Sequence, residues 1–340
     1  MLFTRAGLIL FVLFFAILAN AAALPSFMRE GSSRFLSRSL GSACYSMDSV
    51  QRALPCNPAA VAKERKPRFD GDLFLGSNID YLKEAEDILA GESSEEEVAT
   101  FFSRRESSQA EASVELAYQA PKWGASFEPY RVVLYSRFDN PALPMVDMIV
   151  AQEQSAKLQL ASYVGENFYA GLQMRYSHVR YIGKFFSLTE AFTHQDDDFF
   201  DPETQDLIYL EPGFLYAWEE LAWQPQISVA YMQWGWSDKK SEAYSIKPEG
   251  QVGASIKPLV PLGLLEVGLQ FSLNSETRNA REAVRGAVAY QLGILQAVLS
   301  ASDIDQSAGF LVGFKHFTSG LSYWREEDHQ GVFVQFGVTL

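Results

Sequence analysis

The chain has 340 residues, of which 48% are hydrophobic and 14% aromatic, and a formal net charge of −14. So acidic a balance argues against nucleic acid as a partner, because binding phosphates requires clustered Lys and Arg. The mean hydropathy of −0.06 is that of a soluble protein, but it does not exclude a transmembrane β-barrel, in which lipid-facing apolar residues alternate with polar lumen residues and the average cancels.

Residues 1–5 carry one positive charge, residues 6–18 are an unbroken apolar run, and Ala19-Asn20-Ala21 and Ala21-Ala22-Ala23 both fit a small-x-small cleavage site. This is the pattern of a cleaved secretory signal peptide over residues 1–23. The apolar run falls short of the roughly 20 residues a membrane-spanning helix needs, and no other run is long enough. Residues 24–66 show neither a long helical period nor clear alternation. They contain the chain's two cysteines, Cys44 and Cys56. Export to an oxidising compartment permits a disulfide between them, worth about 3 kcal/mol in the chain-entropy model; two free thiols are the alternative. With four His in the chain, none near the cysteines, no metal site or other cofactor is expected.

From residue 67 to residue 340 the sequence alternates with period two, the signature of strands. Leu265, Val267, Leu269, Phe271 and Leu273 make one face of a strand, and Glu266, Gly268, Gln270 and Ser272 the other. Val332, Val334, Phe336, Val338 and Leu340 oppose Phe333, Gln335, Gly337 and Thr339. Ala112, Val114, Leu116 and Tyr118 oppose Ser113 and Glu115. About fourteen strands are predicted, near 69–77, 110–119, 124–136, 154–164, 168–187, 207–218, 224–236, 246–258, 263–274, 282–293, 294–303, 308–317, 320–326 and 331–340. Short links, such as Pro121-Lys122-Trp123 and Thr318-Ser319, alternate with long ones at 78–109, 137–153 and 188–206. This is the layout of an outer-membrane barrel with short periplasmic turns and long external loops, so the fold class is all-β, a transmembrane antiparallel barrel. Trp123, Trp218 and Trp223 fall at short links, and Trp234, Trp236 and Trp324 at the opposite strand ends, as two interfacial belts would require. Six Trp in the core of a soluble sandwich would not cluster in this way.

The external loops carry acidic runs at 92–97 and 196–198. Such runs are usually solvated surface; a functional reading is divalent-cation contact with lipopolysaccharide. No Gly-x-Ser-x-Gly elbow and no His-Glu-x-x-His is present. His194 precedes Asp196, which is weak ground for a barrel-rim protease, and no enzyme is expected.

Before the barrel the sequence reads Ser39-Leu-Gly41-Ser-Ala43-Cys-Tyr-Ser46-Met-Asp48, then Ala53-Leu54-Pro-Cys56-Asn57-Pro58-Ala59. This resembles the N-terminal signature of the long-chain fatty-acid transporter (FadL-type) superfamily of outer-membrane barrels, including its PorV-like branch, on Gly41, Ala43, Asp48, Asn57, Pro58 and Ala59. Members are similar in having fourteen strands. The chain departs from the pattern in its two cysteines and in ending on Leu340 where Phe is usual. Fourteen strands lie between the filled lumen of eight and the aqueous channel of sixteen, so residues 24–66 are suited to fold inward as a hatch, with Asn57-Pro58 turning the chain into the wall.

The resemblance implies passive uptake of hydrophobic small molecules, fatty-acid-like or aromatic, that rest against the hatch and leave sideways into the membrane. Arg175, Lys257 and Arg285 have lumen parity and are candidates for neutralising a carboxylate head, although ordinary lumen charges are the plainer reading. Expected partners are membrane lipid and lipopolysaccharide, the hydrophobic ligand and the barrel-assembly machinery, with the chain a monomer in the outer membrane of a Gram-negative-type cell. The alternatives are a scaffold or assembly barrel of a secretion system and, remotely, a barrel enzyme.

Overall fold

The computed structural model describes residues 39–49, 53–77, 94, 107–139, 145–187, 202–239, 248–274, 280–303, 305–326 and 329–340. The expected signal peptide, His194, the acidic run at 196–198 and all but Ser94 of the run at 92–97 lie outside the described residues.

The strands are β1 (Arg68–Ser77), β2 (Ser107–Ala120), β3 (Trp123–Asp139), β4 (Met145–Gly165), β5 (Phe168–Ser187), β6 (Glu203–Ala217), β7 (Gln226–Met232), β8 (Gly235–Ser237), β9 (Glu249–Ile256), β10 (Leu264–Leu273), β11 (Val284–Leu292), β12 (Leu295–Ser302), β13 (Asp305–Phe314), β14 (Phe317–Glu326) and β15 (His329–Thr339). Apart from the short β8, each strand pairs antiparallel with the strands before and after it, β7 with β6 and β9, and β1 pairs with β15, so the sheet closes on itself. β8 continues β7 past an interruption at Gln233 and Trp234 and pairs with β6. The wall therefore has fourteen positions. Phe69 and Leu340 exchange backbone hydrogen bonds at 3.0 and 2.9 Å, which completes the seam.

The polarity of the wall is inverted relative to a soluble core. Leu269 is 58% exposed, whereas the next residue, Gln270, is 1% exposed. Leu299, Leu321 and Phe336 are likewise exposed, and Glu266, Gln159 and Ser322 are buried. Apolar side chains thus point out of the closed sheet and polar ones into it, which is the distribution of a membrane-spanning barrel. Two aromatic girdles bound the apolar band. Near the short turns Tyr118 packs on Trp123 and Tyr216 on Trp218. At the other end Tyr231, Trp234 and Trp236 form a row, with Trp236 opposite Ile208. Residues 208–216 of β6, which connect the two levels, match the roughly 9–11 residues a tilted strand needs to cross.

Three departures from simple alternation shape the wall. The long loop expected over 137–153 is much shorter, because β3 continues to Asp139 and β4 begins at Met145. At the start of β4 the inward Ile149 and Ala151 are themselves apolar, so the polar half of the alternation is missing and the segment does not read as a half-buried strand. In β3, Pro129 sits in a bulge that shifts the register against both β2 and β4; a residue without an N–H is tolerated in a wall strand at such a bulge. In β7–β8, Gln233 takes a left-handed backbone, φ 53°, which splits a strand expected to run unbroken over 224–236.

Candidate lumen site

The described part of the N-terminal segment packs against inward-facing side chains of the wall, the turn at 58–63 near the short turns and residues 39–41 near the opposite ends of β11 and β13. It consists of two 3-10 turns, Gly41–Tyr45 and Pro58–Lys63, tied by a disulfide between Cys44 and Cys56 with Cα atoms 5.8 Å apart. The first turn packs on β7, β9, β10 and β11, and the second on β3 to β6. Too short to satisfy its own backbone, the segment takes partners from inward side chains of the wall. Gln226 donates to the Ser46 carbonyl at 2.5 Å, Gln159 to that of Pro55 at 2.8 Å and Ser307 to that of Ser39 at 2.8 Å. Asp70 accepts from the Ala53 N–H at 3.2 Å, and Glu266 from the Ser49 N–H at 2.9 Å.

The motif residues are structural elements of this docking. Asn57 caps the second turn: its Oδ1 accepts from the Ala59 N–H at 3.0 Å, while its Nδ2 donates to the Phe214 carbonyl of β6 at 3.1 Å. Pro58 fills the first helical position, where no N–H is needed. It presses on Gly171 and Gly213, which face each other across β5 and β6; a Cβ on either would overlap Asn57, Pro58 or Ala59. Gly41 holds a left-handed φ of 54°, with the Arg285 guanidinium lying where a side chain would go. Ala43 is fully buried, and its carbonyl accepts from the N–H groups of Ser46 and Met47 at 3.1 and 3.2 Å. Asp48 accepts from Lys63 at 2.6 Å and also bonds Lys257 at the end of β9. Burial alone pushes the Asp48 carboxyl up, but the two ammonium groups outweigh it and hold the group below the usual carboxylate range.

Above the turns the lumen changes character. Phe74 of β1, Val133 and Tyr135 of β3, Ile149 of β4, Trp324 of β14 and Phe333 of β15 point inward and are buried, in one cluster with Leu40, Ala43 and Met47 of the N-terminal segment. Phe333 stacks on Phe74 with ring centroids 4.8 Å apart and on Trp324 at 5.7 Å. Gly76, opposite Phe333 across β1 and β15, leaves room for the ring, since a Cβ there would fall inside it. This corrects one expectation: Trp324 is 4% exposed and belongs to the lumen, not to the interfacial belt. The cluster was missed because its members interrupt the alternation. Leu73-Phe74-Leu75 and Val332-Phe333-Val334 are three apolar residues in a row, and that is the signal that betrays an apolar patch on an otherwise polar face.

The three cations proposed for a ligand carboxylate are engaged and lie apart. Arg175 pairs with Glu211 at 3.3 Å and lies 4.0 Å above the Tyr209 ring. Lys257 is shared between Asp48 and, at 4.0 Å, Glu266. Arg285 pairs with Asp305 and donates to Ser300 at 3.0 Å. Other lumen cations behave alike: Arg131 bridges Glu111 at 2.8 Å and Glu153 at 2.6 Å, and Lys157 faces Glu115 at 3.5 Å. Among the described residues no cluster of His, Cys, Asp or Glu could hold a metal ion.

No family model matches the chain, and no curated protein matches it in sequence. Solved structures do match. The TodX deltaS2S3 mutant monoaromatic hydrocarbon channel superposes with a TM-score of 0.51 at 8% identity, covering 90% of this chain and 97% of that one. The CymD monoaromatic hydrocarbon channel gives 0.49 at 9% identity, covering 90% and 96%. CdiB from Acinetobacter baumannii gives 0.38 at 7% identity, covering 82% of this chain, which spans 60% of CdiB's length. At these identities the likeness is one of fold: this chain shares the barrel architecture of the TodX variant nearly end to end.

Proposed function

We propose that the protein is an outer-membrane channel for passive uptake of hydrophobic small molecules. The observation that carries this reading is the aromatic cluster of Phe74, Tyr135, Trp324 and Phe333 on the inward face of the wall, which elsewhere carries many polar and charged side chains. Apolar lining with a few polar groups is how small-molecule sites are built, and a stack of rings offers an ion no ligand while offering a hydrophobic molecule apolar contact. The N-terminal segment acts as the hatch against this site, its Leu40 and Met47 packing in the same cluster. Exit is sideways, and the bulge at Pro129 is the natural weak point, because it interrupts the ladder on both sides of β3. Lipid and lipopolysaccharide surround a monomer that the barrel-assembly machinery inserts. Support for the hydrophobic class also comes from the TodX variant, itself a monoaromatic hydrocarbon channel of the same fold.

The reading is tested by binding of p-xylene to the purified full chain in detergent, followed by calorimetry. Phe333→Glu places a charge in the stack and is expected to weaken binding at least tenfold while the barrel stays folded on gels. Undiminished binding by the variant would remove the cluster as the site.

A further inference from the structure

We infer that the short-turn end of the barrel is sunk into the bilayer along the side formed by β9 to β14, where acyl chains rather than water cover the turns. The inference needs only the barrel fold and holds whatever the barrel carries. The turns at this end are of two kinds. Those of β2 to β7 bear exposed charge: Lys122 between β2 and β3, Glu166 between β4 and β5, and Glu219 and Glu220 between β6 and β7. Beside them stand the Tyr–Trp pairs of the girdle. Those of β9 to β14 bear Leu259 and Leu262, then Ile294, then Phe314 and Phe317, which are 49% to 81% exposed. Among the described residues of these last turns, the exposed ionisable side chains are Lys315 and His316.

Two observations point to lipid as what covers them. The first is continuity with the lipid-facing wall: Phe314 and Phe317 lie on the same outward face as the exposed Phe310 and Leu321, and the turn at Ile294 lies between the exposed Leu292 and Leu295. The second is length. β9 and β12 have 8 residues each. At roughly 3.3 Å per residue and a tilt of about 40° they rise about 20 Å, short of the roughly 25 Å apolar band of a membrane barrel. The turns attached to these two strands, at Leu259 to Leu262 and at Ile294, extend the apolar surface by what is missing. β4 and β5, with 21 and 20 residues, cross without help from their turn. Immersion requires the turn backbone to be paired. Tyr290 donates to the Leu262 carbonyl at 2.7 Å, the Gly313 N–H to that of Ile294 at 2.7 Å and the Thr339 N–H to that of His316 at 2.8 Å. Lys315 can keep its stem among acyl chains while its ammonium reaches the headgroups.

The test places a fluorophore on single introduced cysteines, which is feasible because Cys44 and Cys56 are joined to each other. Leu262→Cys and Phe317→Cys report on the apolar turns, and Glu166→Cys and Glu220→Cys on the charged ones. Each variant is the full chain, labelled with NBD and folded into phosphatidylcholine vesicles that contain lipid with nitroxide-bearing acyl chains. The nitroxide is expected to quench the label on the two apolar turns, with loss of that quenching on the two charged turns. Quenching at the apolar turns no stronger than at the charged ones overturns the inference, whether all four lie in water or all in lipid. Leu262 and Phe317 belong to separate turns, so if one variant fails to fold the other decides.

Discussion

Asp48 shows how much of the lumen rests on single side chains. It receives Lys63 from its own segment and Lys257 from the wall, so its removal leaves two partly buried ammonium groups facing each other. Asp48→Asn should therefore loosen the segment without unfolding the barrel, raising hydrogen exchange of the amides at 53–63 at least tenfold; unchanged protection would show that the bridge holds nothing. The pH dependence has a definite sign. A carboxyl held below its ordinary value contributes fully above the ordinary value of about 3.9 and loses that contribution as pH falls through the lowered one. Docking should thus persist at pH 5 and weaken only below the usual carboxylate range, which exchange measured across pH will check. The sequence motif pointed to Asp48, but its wall partner Lys257 was invisible as such: 209 residues separate the two, and only the sheet register brings them together.

At the scale of elements, the strand is the unit, and its outward face is committed to lipid. Leu269 lies mid-strand in β10 on that face, and Leu269→Arg should cost about 2–4 kcal/mol in denaturant-monitored folding into vesicles. A cost below about 0.5 kcal/mol would mean that this face does not meet the bilayer. Where each face had its own polarity, as in β10 and β15, both strand and facing were legible from the sequence. Where the lumen turns apolar, period-two logic gave a loop at the start of β4 and assigned Trp324 of β14 to the interfacial belt instead of the lumen. The same cause hid the site, since the residues that make a hydrophobic lumen are those that break the pattern used to find the lumen. The bulge at Pro129 was hidden for a different reason, because one inserted residue shows only against the registers of two neighbouring strands.

For the whole molecule, closure removes every sheet edge among fourteen wall positions, and a closed sheet resists detergent until heated. Unboiled protein should migrate differently from boiled protein on gels, and identical migration would count against closure. The barrel is uneven in height: β3, β4 and β5 have 17, 21 and 20 residues, against 8 to 11 in β9 to β15. The tall side carries the ion-pair ladder of Arg131, Lys157 and Arg175, and the aromatic cluster lies between the two sides. Fold class and strand number followed from the sequence because they depend on local alternation. The lumen's contents did not, because they depend on which strands meet across the barrel. The central claim, that a docked N-terminal segment closes a barrel wide enough to conduct, is tested most directly by planar-bilayer conductance of a variant lacking residues 24–56. The account predicts a heat-modifiable barrel that conducts small ions well above the full chain, because a fourteen-stranded lumen has room once the segment is gone. A folded deletion variant that conducts no more than the full chain would contradict it.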